Sequence, residues 1–269
     1  MPALNEAAVS HDVVEIDGLV AHYGSRKVLD GIEMRVKRGE IMVIMGGSGS
    51  GKSTLLRHML GLQRPSAGRV RLFGKDLARL PTKALYRLRR KIGVAFQGGA
   101  LFGAMSVGDN IALPLREHTR LDVNTIRIMS RLKLEMMNLA DCEHYMPAEL
   151  SGGMVKRAAL ARAIAMDPSL LLFDEPSSGL DPINAAELDE YILQLKNTMG
   201  MTIVVVTHEL ASATRIADRL TVLNEGKILA SGSVDEVRQS VDSYIQHFFR
   251  RQPRPAALNA ADYLRRLTR

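Results

Sequence analysis

The sequence predicts an α/β fold: a mostly parallel sheet flanked by helices, with an antiparallel β portion, an inserted helical segment and a helical tail. Three observations predict it. Four short, predominantly apolar runs, at 41–45, 92–96, 170–173 and 203–206, have the composition of strands buried on both faces. Each stops abruptly at residues of ligand-handling type: Gly46, Gln97, Asp174 with Glu175, and Thr207 with His208. Between 98 and 150 the strand-like runs vanish and helical spacing takes over. Open parallel sheets bind ligands beyond the carboxyl ends of their strands, so four such endings predict one shared site along one edge.

Each element follows in chain order. Residues 12–40 and 68–73 read as antiparallel strands. A helix over 52–61 follows the first apolar run. The basic cluster Lys83, Arg87, Arg89, Arg90 and Lys91 lies near a predicted helix end and reads as a solvated face. A helical subdomain is expected at about 100–165, with Ile126, Met129, Leu132 and Met136 at helical spacing and the methionines as core fillers. In the helix predicted over 182–196, Leu188, Tyr191, Ile192 and Leu195 fall at i, i+3, i+4 and i+7. Another helix is predicted over 209–217. A short helix follows Gly232, and Val241, Tyr244, Ile245 and Phe248 form one apolar face beyond it. Pro253 and Pro255 mark a linker, and a last helical piece at 256–269 carries Tyr263, Leu264 and Leu267. The expected organisation is a main domain over 12–240 and a C-terminal extension over 241–269, for which the family resemblance given below implies a contact with another subunit.

Composition narrows the function classes. The 269 residues are 46% hydrophobic with a net charge of +7, ordinary for a globular protein. Six arginines (Arg250, Arg251, Arg254, Arg265, Arg266 and Arg269) against Asp242 and Asp262 put +4 of that charge in the tail. Aromatic residues make up 4% and tryptophan is absent, too little for stacking on single-stranded nucleic acid, so no direct nucleic-acid partner is expected. No apolar run reaches the length of a membrane span. The first twelve residues lack a basic start and a long apolar stretch, so no secretory signal is expected. The single cysteine, Cys142, fits a reducing cytoplasm and reads as a small packing residue.

The chemistry is concentrated in three segments. Gly46, Gly47, Ser48, Gly49, Ser50, Gly51, Lys52, Ser53 and Thr54 contain the pattern G-x-x-x-x-G-K-[ST] between a predicted strand and a predicted helix. Glycines let successive amides curl around phosphates, Lys52 reaches the β- and γ-phosphates, and Ser53 offers a hydroxyl to Mg²⁺. The pattern predicts a P-loop NTPase core that binds ATP with Mg²⁺. The run ending at Asp174 and Glu175 supplies a carboxylate for the magnesium shell and a second one to orient or deprotonate water. Ser151, Gly152 and Gly153 open a third segment, a capped helix start whose amides also suit phosphate. One nucleotide rarely needs two such helix starts from one small chain, whereas a dimer would use both, each ATP lying between the loop of one copy and Ser151–Gly153 of the other.

With these residues in hand, residues 13–240 resemble the nucleotide-binding subunits of ABC (ATP-binding cassette) systems. The resemblance implies the ABC ATPase fold and further roles. Tyr23 stacks on adenine. Gln97 touches magnesium and the nucleophilic water and faces a membrane partner. Ser151, Gly152, Gly153 and Asp181 act in trans, and His208 contacts the γ-phosphate. Glu175, His208 and Lys52 are the implied catalytic set, and Ser53, Gln97 and Asp174 the implied Mg²⁺ set. Met154 departs from the commonest signature, which has glutamine there. Together with segments 96–102 and 114–119, it resembles the Mla-type ATPases of phospholipid transporters that work with MCE proteins. That subfamily implies a homodimer, two permease subunits, an MCE-domain protein, a small STAS-domain protein and a peripheral position on the cytoplasmic face of the inner membrane. Tail residues 255–267 resemble its C-terminal extension. The implied function is ATP-driven phospholipid transport between inner and outer membranes. Signalling to cell-wall enzymes, or import or export of another solute, stands as the alternative.

Overall fold

The computed structural model describes residues 12–250. Two long strands, β1 (Asp12–Tyr23) and β2 (Arg26–Lys37), form a hairpin, and β4 (Ala67–Leu72) and β5 (Lys75–Asp76) extend it into a four-stranded antiparallel sheet of order β2-β1-β4-β5. A second sheet of six strands carries the predicted parallel core. It is built from β3 (Ile41–Met45), β6 (Ile92–Ala95), β7 (Leu170–Asp174), β8 (Thr202–Thr207), β9 (Arg219–Asn224) and β10 (Lys227–Gly232), in the order β10-β9-β3-β8-β7-β6. The pairs joining β9, β3, β8, β7 and β6 are parallel, and β10 runs antiparallel to β9 at the edge.

Strand alternation explains why β3 is apolar throughout. Ile41, Val43 and Met45 face one core cluster and Met42 and Ile44 face the other, and all five are at most 1% exposed. The first cluster holds the helices on one side. The second packs α1 (Lys52–Met59) and the antiparallel sheet against the opposite face.

The helices follow local signals. After α2 (Thr82–Arg89), the chain between β6 and β7 is helical: α3 (Val107–His118), α4 (Val123–Met136) and α5 (Gly152–Ala163). Ser106, Asp122 and Ser151 cap them by accepting bonds from first-turn amides. Buried Asn110 binds the Phe102 amide and the carbonyls of Phe102, Met105 and Ser106, fixing the loop that leads into α3. Cys142 is buried there. Then come α6 (Pro182–Met199), α7 (Leu210–Ile216), α8 (Val234–Arg238) and α9 (Ser243–Arg250). Among the described residues no helix is long and apolar enough to cross a membrane.

Several details differ from the sequence reading. The parallel set has a fifth member, β9, joined to β10 by a tight turn at Glu225 and Gly226, both at positive φ. Of the apolar positions at helical spacing in α4, Ile126 is buried but Leu132 is exposed, and the buried face includes Ser130, Lys133 and Leu134 instead. Val241 is 99% exposed and precedes α9, whereas Ile245 is fully buried. The basic cluster is not a simple solvated face. Arg89 donates to the carbonyls of Leu60 and Gly61 at the end of α1, and Arg90 donates to the His118 carbonyl. The predicted helix over 256–269 lies outside the described residues.

Candidate functional site

The turn between β3 and α1 is shaped by close approach. A Cβ on Gly46 would stand 2.2 Å from the Leu223 carbonyl oxygen of β9, so only glycine fits. Gly51, at φ 110°, is the cap residue of α1 and brings no capping side chain. The first-turn amides therefore open onto the loop, where the helix dipole favours an anion. The Ser50 carbonyl accepts from the Gly226 amide, tying the loop to the β9–β10 turn.

Lys52 is buried and folds back over this loop. Its Nζ donates to the carbonyls of Gly46 (2.8 Å) and Gly47 (3.1 Å) and lies 3.7 Å from Glu175 Oε1. Burial lowers its pKa, opposed by the nearby carboxylates of Glu175 and Asp174. A cavity of about 370 Å³ opens beside it, lined by Gly49, Ser50, Gly51, Ser53 and Thr54 together with Tyr23, Arg26, Val28 and Arg57. Tyr23 is 71% exposed at the end of β1 and thus free to take a flat ring. Ser48 is exposed at the loop tip.

Asp174 ends β7 beside Ser53, which hydrogen-bonds its carboxyl. Burial, then the neighbouring Glu175, raises its pKa. Its Oδ1 is buried with no hydrogen-bond partner. A buried, unsatisfied carboxylate oxygen next to a serine hydroxyl is a hard oxygen donor pair, and it fits Mg²⁺, which takes one or two carboxylates and completes its shell from phosphate and water.

Glu175 is buried and sits at φ 51°, a conformation non-glycine residues rarely adopt. Its amide donates to the Val206 carbonyl (2.8 Å), locking it to the end of β8. Its Oε2 accepts from the His208 amide (3.2 Å) and lies 2.8 Å from His208 Nδ1. Lys52, Glu175 and His208, from three separate strand ends, are thus brought together. The cluster pairs a carboxylate base with a cation and a polar ring, a set able to hold phosphate and activate water.

Gln97 is held differently. Its Nε2 donates to Ser178 Oγ (3.2 Å), its carbonyl accepts from Lys156 of α5, and Arg162 of α5 donates to the carbonyls of Gly99 and Ala100. Ser151 caps α5 and Asp181 caps α6 through the amides of Ile183 and Asn184. Gly152 is exposed, and Gly153 lies against Asn184, where a Cβ would stand 2.6 Å from its Oδ1. None of these four lines the cavity beside Lys52 within one chain.

Sequence reasoning missed Arg26, Arg57 and Lys156. Arg57 lies four residues beyond Ser53 on the same helix face, and Arg26 pairs with Tyr23 across the hairpin. Both signals were available. Lys156 had none, because its contact is with a loop 59 residues away.

A model of the family described as ABC transporter matches residues 29–178. This chain belongs to the ABC transporter family. The match covers the loop at 46–54, Gln97, Ser151, Asp174 and Glu175, and the family is one of ATP-binding ATPase cassettes. The chain is 39% identical over 262 residues to the intermembrane phospholipid transport system ATP-binding protein MlaF of Haemophilus influenzae, covering 96% of this chain and 99% of that one. It is 42% identical over 225 residues to the protein of the same name from Escherichia coli K12, covering 84% of each. Among solved structures it resembles the dimeric, post-hydrolysis state of the ATP-binding cassette MJ0796 bound to ADP and Pi. The TM-score is 0.75 at 30% identity, over 82% of this chain and 98% of that one.

Proposed function

We propose that this ABC cassette is the ATP-hydrolysing motor of a system that moves phospholipid between the inner and outer membranes. The observation that carries the reading is the Lys52–Glu175–His208 cluster in a chain whose likeness to a phospholipid-system ATP-binding protein runs over 96% of its length.

Tyr23 stacks on the adenine. The phosphates draw Lys52 off the Gly46 and Gly47 carbonyls, and the amides of residues 46–54 wrap them. Ser53 and Asp174, with Gln97, would hold Mg²⁺, which when bound would supply positive charge to offset that of the phosphates. Glu175 accepts the proton of the attacking water. His208 keeps the Glu175 carboxylate in place and turns to the γ-phosphate when one arrives. Two copies pair, so that Ser151, Gly152, Gly153 and Asp181 of one complete the site of the other.

The work is conformational. Residues 12–240 act as the cassette and the helices within about 100–165 as the transmitting part, α9 packs back on its own cassette, and contact with the second copy falls to the tail beyond it. Two permease subunits dock on the pair, one per copy, each in the groove of about 680 Å³ that Tyr86, Arg87 and His118 help line. A small STAS-domain protein covers α4, where Val123, Ile128 and Leu132 are exposed. An MCE-domain protein hands lipid on, and the cassette stays on the cytoplasmic face of the inner membrane. Reconstituted with permeases and MCE protein in bilayers, the chain should drive ATP-dependent transfer of a labelled phospholipid that Glu175→Gln abolishes. Hydrolysis with no effect on lipid movement would assign the motor to another cargo.

A further inference from the structure

The C-terminal helix reaches the phosphate loop. Tyr244 of α9 accepts a hydrogen bond at its hydroxyl from the Gly47 amide, 2.9 Å away across 197 residues of sequence. Its place is fixed from below. Asp242 caps α9 through the amides of Tyr244 and Ile245, Ile245 is fully buried in the core cluster that contains Ile41 and Met45, and the Tyr244 ring packs beside Phe248 with centroids 6.1 Å apart.

The Gly47 peptide is thereby gripped on both sides. Its N–H is held by Tyr244, and its carbonyl accepts from Lys52 Nζ and from the Ser50 amide (3.2 Å). When Lys52 turns to a phosphate, the lysine grip is released and the tyrosine grip remains. Contact is close enough to be read sterically, since a Cβ on Gly47 would stand 3.1 Å from the Tyr244 hydroxyl.

We propose that Tyr244 is a positioning residue of the nucleotide site: its hydroxyl holds the Gly47 peptide in the shape that receives the phosphates. This rests on the ATP-site assignment. By linkage, whatever displaces α9 weakens ATP binding, and bound ATP stabilises the docked helix by the same factor.

The test uses the full chain and compares wild type, Tyr244→Phe, Gly47→Ala, the double variant and Lys52→Ala for ATP affinity, KM and kcat. Tyr244→Phe keeps the ring and removes the acceptor. ATP affinity should weaken about three- to tenfold, as loss of one hydrogen bond implies, with KM rising while kcat changes little. Gly47→Ala should weaken ATP binding by crowding the hydroxyl, and should cost less when Tyr244 is already phenylalanine, a non-additivity that a merely structural role would not produce. Unchanged ATP affinity in Tyr244→Phe, with affinity lost in Lys52→Ala, would overturn the inference alone. Affinity retained in Lys52→Ala would overturn the site assignment and the inference with it.

Discussion

Glu175 is the residue on which the proposed chemistry turns. It is buried, it adopts a left-handed backbone, and both carboxylate oxygens are engaged, one toward Lys52 and one by His208. Glu175→Gln keeps the shape and removes the base. Turnover should fall by about 10²–10⁴-fold while ATP binding persists, which single-turnover hydrolysis and equilibrium binding would separate. Lys52→Ala should instead abolish nucleotide binding, because the loop loses the cation that its carbonyls hold ready. At this scale the sequence was most legible where the chemistry is local. The glycine pattern and Lys52 are contiguous, and Asp174 and Glu175 end one strand. The contacts of Lys156 with Gln97 and of Tyr244 with Gly47 were not legible, since each joins distant segments, and Tyr244 read only as part of an apolar face.

Among the elements, α1 and the seam between α6 and α7 carry consequences beyond the site. Arg89 of α2 binds the carbonyls of Leu60 and Gly61 just past the end of α1, the helix that begins at Lys52. Arg89→Ala leaves those acceptors without their cation at a helix C-terminus and should cost about 1–3 kcal/mol in denaturant unfolding. Asp189 of α6 is 4% exposed, and burial raises its pKa to about 6 despite a hydrogen bond from Ser212 of α7 and the charge of Arg215. Its folded pKa thus lies above its unfolded one. The stability it contributes is fully present below about pH 4 and is lost as pH rises through about 6. Asp189→Asn should raise stability on the order of 2 kcal/mol at pH 8 and leave it nearly unchanged at pH 4, read from melting curves at the two pH values. The buried strands β3, β7 and β8 were legible because a strand covered on both faces is apolar at every position. Strand β9 was not separated out, although the Glu225–Gly226 turn marks its end. Its Arg219 and Thr221, bonded to Glu40 and to Ser231 respectively, interrupt the apolar run. In α4 the periodicity misplaced Leu132, because Lys133 is buried in its stead, paired with Asp167.

Over the whole molecule, the two phosphate-seeking helix starts remain apart. Lys52 opens α1 beside the cavity, and Ser151 caps α5 without lining it. The sequence predicted both starts, since each is a short local motif. A second copy bringing its α5 to the cavity would unite them, and the α4 face with Val123 and Ile128 exposed leaves room for a further partner elsewhere on the surface. On the proposed function, hydrolysis needs two copies, each completing the other's site. This requirement is tested most directly by the mass and bound-nucleotide content of Glu175→Gln with ATP, alone and combined with Ser151→Arg. A nucleotide-filled dimer holding two ATP is expected, absent when Ser151→Arg is added. A single chain that binds ATP and turns it over at the normal rate with position 151 blocked would contradict it.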